Sequence, residues 1–332
     1  MSSARFDVVG IGSAIVDIIA RTDDDFVVGV GMTKGTMALV SAEQSKALYD
    51  RLGRTVQISG GSAANTMAGI ASLGGAPAFI GRVGDDQLGR IFSHEIKAAG
   101  VHFHGGDPGR NATLPSAVCL IMVTPDAQRT MSTYLGACTE LGPDDIDARI
   151  IADAHVTYVE GYQWDTPRAK QAIRKAARAA KDARRKVALS LSDPFVVDRH
   201  RAELFKLIAD DVDLIFGNQD EVFQLFQVGT LDDAVSLLRQ TNTLACMTMG
   251  AKGAVVVDGA ATTAVPAAPV AQVVDTTGAG DLFAAGFLYG FTHGRDLVGC
   301  ARLGALAAAE IISHMGARPE TSLKELAAKA NL

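Results

Sequence analysis

Short apolar runs alternate with amphipathic stretches along the chain, most clearly in its second half. His155 to Glu160 is apolar and strand-length, Pro167 to Arg185 has helical propensity, and Val187 to Leu191 reads as a strand again. The alternation continues with helical spacing from Asp198 to Ala209, a strand from Asp213 to Phe216, a helix from Asn218 to Gln227 and a strand from Leu244 to Met249. Elements alternating at this pace predict βαβ units, hence an α/β fold with a mostly parallel central sheet flanked by helices on both faces. Helix-start signals agree. Ser41 with Gln44 and Ser322 with Glu325 have capping-box spacing, in which the hydroxyl and the later side chain satisfy each other's orphan amides; Thr230 is a third N-cap.

Two regions break the rhythm. Asp24 to Leu39 and Arg110 to Tyr134 are short, β-prone and turn-rich, and are expected to pair as a small sheet beside the α/β body. No long linker, internal repeat or low-complexity tract divides the 332 residues, so one domain over 1–332 is expected.

Charge and cysteine usage narrow the classes. The net charge of −6 speaks against a nucleic-acid-binding surface. Cys119, Cys138, Cys246 and Cys300 are scattered, which suits neither a disulfide framework nor a zinc site and fits a reducing cytoplasm. The apolar stretch from Val8 to Ala20 is interrupted by Asp17 and reads as a strand and turn rather than a signal peptide. No apolar run reaches the ~18 residues of a membrane span, so no membrane partner is expected. Nine Lys or Arg lie between Arg168 and Lys186. Ala169, Ala172, Ala176, Ala180 and Ala183 form a small-residue stripe through the same segment, which favours a solvated helix face packed on the sheet over a polyanion-binding helix.

The chemistry concentrates in two glycine-rich segments. Asp275-Thr276-Thr277-Gly278-Ala279-Gly280-Asp281 precedes an apolar, helix-length run. Amides at the start of such a helix lack internal partners, so those of Gly278, Ala279 and Gly280 can face an anion. Asp281, in the first turn, is placed to act as a general base beside that anion. The same pattern also describes a glycine turn with a capping aspartate. Neither a GxxxxGK[ST] loop nor a helix-opening GxGxxG is present. The second segment, Ser59-Gly60-Gly61-Ser62-Ala63-Ala64-Asn65, again opens a helix of small residues.

Taken together with Gly12 and Asp17, Asn218-Gln219-Asp220-Glu221 and Thr248-Met249-Gly250-Ala251-Lys252-Gly253, the two segments resemble, in order and over nearly the whole chain, the ribokinase-like (PfkB) family of carbohydrate and nucleoside kinases. The stretches Gly10–Ile18, Leu189–Phe195 and Asp213–Glu221 are most similar to adenosine kinases. The resemblance implies a ribokinase-like α/β fold with a small β lid, formed by about 15–40 and 108–135, and an ATP- and Mg²⁺-dependent transfer to a primary hydroxyl. The acceptor it favours is a nucleoside, adenosine first, with a sugar as the alternative and a non-catalytic nucleoside-binding protein as a third reading.

Residue roles follow by the same resemblance. Asp281 would be the base, and the Gly278, Ala279 and Gly280 amides the anion hole. Asp17, Gly61 and Asn65 would hold the sugar. Asn218 and Glu221 would organise Mg²⁺ and phosphate through water, unless they are only an N-cap and an exposed helix residue. Thr248, Gly250 and Gly253 would line the nucleotide side, and Arg129 would reach the phosphates. Asp275 and Thr277 correspond to a monovalent-cation (K⁺) position in some members. Two departures concern the acceptor. Ser13 stands where adenosine kinases often have Asn, and Gln163 interrupts the aromatic residues that would face a base, leaving Tyr162 or Trp164 to stack. The oligomeric state, monomer or homodimer, is left open.

Overall fold

The computed structural model describes residues 4–105, 112–126 and 128–332. In chain order the strands are β1 (Phe6–Ile11), β2 (Ile15–Arg21), β3 (Met37–Leu39), β4 (Thr55–Gly60), β5 (Pro77–Ile80), β6 (His102–His104), β7 (Ala117–Val123) and β8 (Arg129–Tyr134). They continue with β9 (Ala154–Glu160), β10 (Lys186–Ser190), β11 (Leu214–Asn218), β12 (Leu244–Thr248), β13 (Ala254–Asp258) and β14 (Ala261–Val265). Nine of these form one sheet in the order β14-β13-β12-β11-β10-β9-β1-β5-β6. It is parallel from β6 through to β12, and only β13 is reversed, pairing antiparallel with β12 and β14. Its inner strands are apolar on both faces because helices cover both.

The expected helices are present, with shifted edges. Pro167–Asp182 buries Ala169, Ala172, Ala176 and Ala180 against the sheet and turns its basic residues outward, as the alanine stripe implies. Several of those charges are engaged at the surface, Lys170 with Glu203 and Lys186 with Asp213 among them. The helix expected from Asp198 already starts at Pro194, because the Asp193 side chain accepts from the Phe195 and Val196 amides. Ser41 and Gln44 form the full capping box, and Thr230 and Ser322 cap their helices.

The remaining five strands form a second sheet, ordered β3-β8-β7-β2-β4. The β-prone stretch 110–134 contributes β7 and β8 as an antiparallel pair; residues 108–111 and 127, at the edges of the expected lid segments, lie outside the described residues. The stretch 24–39 differs from expectation. Only Met37–Leu39 is a strand, while Asp24–Gly29 is a short helix, because Asp23 caps the Phe26 amide and two acids occupy the first turn. The sheet also recruits β4, which the small-sheet expectation had not included.

Alternation along β2 and β7 gives this sheet two unlike faces. Val16, Ile18, Val118, Leu120 and Met122 join the main core. Ile15, Ala117, Cys119, Ile121 and Cys138 form a separate apolar cluster, with Ile19, Val123 and Met131 half-buried at its margin. Asp17 lies between Ile15 and Ile19, on that second face.

Candidate active site

The chain enters the helix Ala279–Thr292 through Gly278, whose φ of +79° is a left-handed conformation suited to glycine. The Ala279 amide donates to the Thr276 carbonyl at 3.2 Å, and the Leu282 amide to Gly278 O at 2.8 Å. The expected anion hole is therefore corrected. Ala279 is engaged in closing its own turn, while the amides of Gly278, Gly280 and Asp281 have no hydrogen-bond acceptor among the described residues. Asp281 is half-buried and does not cap this helix. Its Oδ1 accepts from Ser62 Oγ at 2.6 Å and its Oδ2 from Asn65 Nδ2 at 3.0 Å. Burial pushes its carboxyl up to about 6, against the lowering effect of those two bonds.

Ser62 and Asn65 belong to the helix Ser62–Ser72, entered through Gly61 at φ +94°. A side chain at Gly61 would strike the Ser13 carbonyl, and one at Gly60 the Asp17 carboxylate, so the glycine pair is what lets β4 and this helix close around Asp17. Asp17 accepts no hydrogen bond from the described residues, and burial pushes its carboxyl up to about 7, with Arg318 and Arg129 opposing. Asn65 is 4% exposed, and its Oδ1 is buried with no partner. Asp17 lies close enough to Asp281 for the Asp281 charge to help raise it, and Asn65 bonds Asp281 directly.

Gln163 takes part in the site by a route other than stacking. Its Nε2 donates to Ser13 Oγ at 2.8 Å and to Glu160 Oε1 at 3.0 Å. Glu160 is fully buried at the end of β9 and accepts from the Ser13 amide at 2.7 Å and the Ala63 amide at 2.8 Å, so it fixes both chain segments that carry acceptor-site residues. Trp164 is not available for stacking. It is fully buried in the helical core, with Lys170 and Arg174 over its ring, because the short 3₁₀ turn Gly161–Asp165 directs it away from the strand ends. Tyr162 is 39% exposed and donates its hydroxyl to Ser192 O at 3.1 Å.

On the other side of Asp281, Asn218 and Glu221 form a reciprocal cap. The Glu221 amide donates to Asn218 Oδ1, while Asn218 Nδ2 and its amide donate to the two Glu221 oxygens at 2.7 and 3.0 Å. The N-cap reading of this pair thus holds as structure. Glu221 is nevertheless a buried carboxylate, pushed up to about 7 by burial and further by Asp193, Asp281 and Asp220. Thr248 lies beside Asn218 in register at the ends of β12 and β11. The following turn is closed by the Met249 amide donating to Gly253 O at 2.7 Å, with Gly250 exposed at its tip. Ligand crevices of parallel sheets lie at such C-terminal strand ends.

Arg129 ties the five-stranded sheet to the turn that leads into the helix Ala279–Thr292. Its guanidinium donates to Thr277 Oγ1 at 2.8 Å and forms a short ion pair with Asp275. Asp275 also accepts from the Thr277 and Gly316 amides. The two residues expected at a monovalent-cation position therefore hold the Arg129 guanidinium here, and Arg129 itself stops one residue short of Gly278. Three contributors carry no mark in the sequence pattern. Ser62 lies between the flagged Gly61 and Asn65, Glu160 ends an apolar strand, and Arg318 belongs to no motif. A glutamate ending an otherwise apolar run was the one available signal among them.

A carboxylate that can take a proton, next to free helix-start amides that can hold a phosphoryl group, is the equipment of a phosphotransferase. Residues 7–323 match the pfkB family of carbohydrate kinases. The chain belongs to that family and is a phosphotransferase that uses an alcohol group as acceptor, with the ribokinase-like fold. It is 50% identical to the adenosine kinase of Sinorhizobium meliloti, with a TM-score of 0.92 over 98% of this chain and 100% of that one. A probable sugar kinase from Rhizobium etli is 48% identical, with a TM-score of 0.92 over 99% of each chain. The adenosine kinase of Saccharomyces cerevisiae is 27% identical over 93% of this chain and 95% of its own.

Proposed function

We propose that the protein transfers the γ-phosphoryl group of ATP to the primary 5′-hydroxyl of a nucleoside, adenosine to AMP. The observation that carries this reading is the proximity of Asp17 and Asp281, close enough for the Asp281 charge to raise the Asp17 carboxyl, with Asp17 set in an apolar sheet face. Asp17 offers two oxygens to neighbouring ribose hydroxyls, and the orphan Asn65 Oδ1 accepts a third donor. The cluster of Ile15, Ala117, Cys119, Ile121 and Cys138 beside Asp17 suits a flat heterocycle better than a second polyol. Tyr162 and the 74%-exposed Phe195 supply aromatic surface at the same strand ends. The similarity to adenosine kinases supports the same acceptor.

Asp281 takes the proton of the 5′-hydroxyl as its oxygen bonds to the γ-phosphorus. The bond from that phosphorus to the β–γ bridging oxygen breaks, and ADP leaves with the electron pair. The Gly278, Gly280 and Asp281 amides hold the transferring oxygens, and Arg129 reaches them once it releases Asp275. The buried Glu221 carboxylate and the exposed Asn218 beside it would hold a hydrated Mg²⁺ through its waters, the carboxylate supplying the negative charge. Such an ion would neutralise charge on the phosphates. Asp275 and Thr277 hold the Arg129 guanidinium here; once Arg129 moves to the phosphates, their oxygens would be open to a monovalent cation such as K⁺. The five-stranded sheet acts as the lid that excludes water.

A sugar kinase is the second reading, favoured by the polar Ser13–Gln163–Glu160 group where adenosine kinases place aromatics. A screen of nucleosides and sugars, read by ADP release from ATP·Mg²⁺, tests both. Adenosine should give the highest kcat/KM. Turnover with ribose or fructose but not with any nucleoside would replace the first reading by the second.

A further inference from the structure

We propose that Arg318 is a positioning residue of the phosphoryl-transfer site: it clamps the chain on both sides of Gly60-Gly61 and supplies the positive charge that faces Asp17 and Asp281. The inference rests on the reading of Asp281 as base and Asp17 as acceptor ligand.

Arg318 Nε donates to Ser59 O at 3.0 Å and Nη1 to Ala64 O at 2.8 Å. One carbonyl ends β4 in the small sheet. The other lies in the helix that presents Ser62 and Asn65 to Asp281. Ser59 is held from its other side too, its amide donating to Glu95 Oε2 at 2.7 Å. Only the planar fork of an arginine reaches two such carbonyls at once; a lysine ammonium on one stem cannot hold that geometry. The third nitrogen, Nη2, is buried without a partner.

The charges around it show why this cation matters. Arg318 faces Glu95 on the helix Gln87–Ala98, Asp17 on β2 and Asp281 on the helix Ala279–Thr292. Asp17 also faces Arg129, Asp281 and Asp275, and Asp281 faces Glu160 besides its Ser62 and Asn65 donors. Arg129 is committed to Asp275. Arg318 forms no direct ion pair among the described residues, being anchored on backbone carbonyls instead. It therefore acts on the two aspartates through its field and leaves their oxygens open, where a direct salt bridge would occupy the lone pairs that an acceptor needs. Burial lowers Arg318 to about 10, so it stays charged at neutral pH. Among the opposing charges it is the first that holds Asp17 down.

The test compares R318Q and R318K with the unaltered enzyme. Circular dichroism and Tm establish folding, and kcat, acceptor KM and the pH profile of kcat/KM are measured. In R318Q, which keeps neutral donors near the carbonyls, the acid limb should move up by about one pH unit. That is roughly a ten-fold loss at pH 6, with most of the rate regained at pH 9. In R318K the limb should stay and acceptor KM should rise several-fold. A folded R318Q with an unmoved limb, or one impaired equally at every pH, overturns the proposal. If R318Q does not fold, R318K decides: an unchanged KM and an unchanged limb overturn it. D281N is measured alongside. A D281N enzyme with normal turnover sinks the reading of Asp281 as base, whereas an inactive D281N with an unmoved R318Q limb sinks only the role of Arg318.

Discussion

Asn65 Nδ2 stands 3.0 Å from Asp281 Oδ2, a hydrogen bond between residues 216 positions apart that ties the second glycine segment to the first. It orients the carboxylate and leaves the Asn65 carbonyl oxygen for a ligand. Replacing the base while keeping its shape should separate chemistry from binding. Asp281→Asn is expected to lower kcat by ~10²–10⁴-fold, the range for a lost general base, with acceptor Kd from calorimetry changed by less than about three-fold. Turnover near normal would remove Asp281 from its role.

The pH profile follows from two raised carboxyls. Asp281 sits near 6 and Asp17 near 7, both pushed up chiefly by burial. Each must be ionised, the one to accept a proton and the other to accept hydroxyl donors. The acid limb of kcat/KM should therefore begin near pH 7, fall with a slope of about one towards pH 6 and steepen to a slope approaching two below it. A limb centred near pH 4, the range of unperturbed carboxylates, would contradict the assignment.

The same burial has a cost in stability. The folded-state value of Asp17 lies well above the ordinary aspartate value of 3.8, so the folded protein binds this proton more tightly than the unfolded chain does. The stabilising effect of protonation is complete at low pH and lost as pH rises through about 7. Asp17→Asn should accordingly raise Tm of the ligand-free protein at pH 8 by about 2 °C or more, with the difference shrinking towards pH 5. A lower Tm at pH 8 would mean that its arginine neighbours outweigh the burial.

Glu221 offers a test of the metal arrangement. Glu221→Gln removes the buried charge but retains an oxygen for the Asn218 amides. The Mg²⁺ concentration giving half-maximal rate is expected to rise about ten-fold, with little change in acceptor KM. An unchanged Mg²⁺ dependence would restrict Glu221 to capping.

The layered architecture and the glycine turn that opens the helix Ala279–Thr292 were readable because both depend on short-range rules. Strand–helix alternation, caps at Ser41 and Thr230, and a glycine turn before an apolar helix are all written within a few residues. What was not readable depends on distant partners. Arg318 lies 254 residues from Ala64, and nothing near it hints at that carbonyl. Trp164 was expected to have a chance at the pocket on sequence position alone, but a 3₁₀ turn decides which of two neighbouring rings faces the cleft. The Asp24–Gly29 helix was hidden by β-prone valines, where a cap and two acids outweighed strand propensity.

The chain first passes from the central sheet to the five-stranded one at residues 12–14 and first returns at 60–62, before a second excursion through β7 and β8. Both passages carry residues of the acceptor site, and Glu160 holds both by their amides. Their geometry is thus shared between ligand contact and the angle at which the two sheets meet. Change at Ser13 or Gly61 alters both at once, whereas change at the half-buried Ile19 or Met131, at the margin of the second apolar cluster, leaves the passages as they are. A lineage diversifying its acceptors from this scaffold, or an engineer doing so, has its independent variables on the sheet face and its fixed ones at the passages.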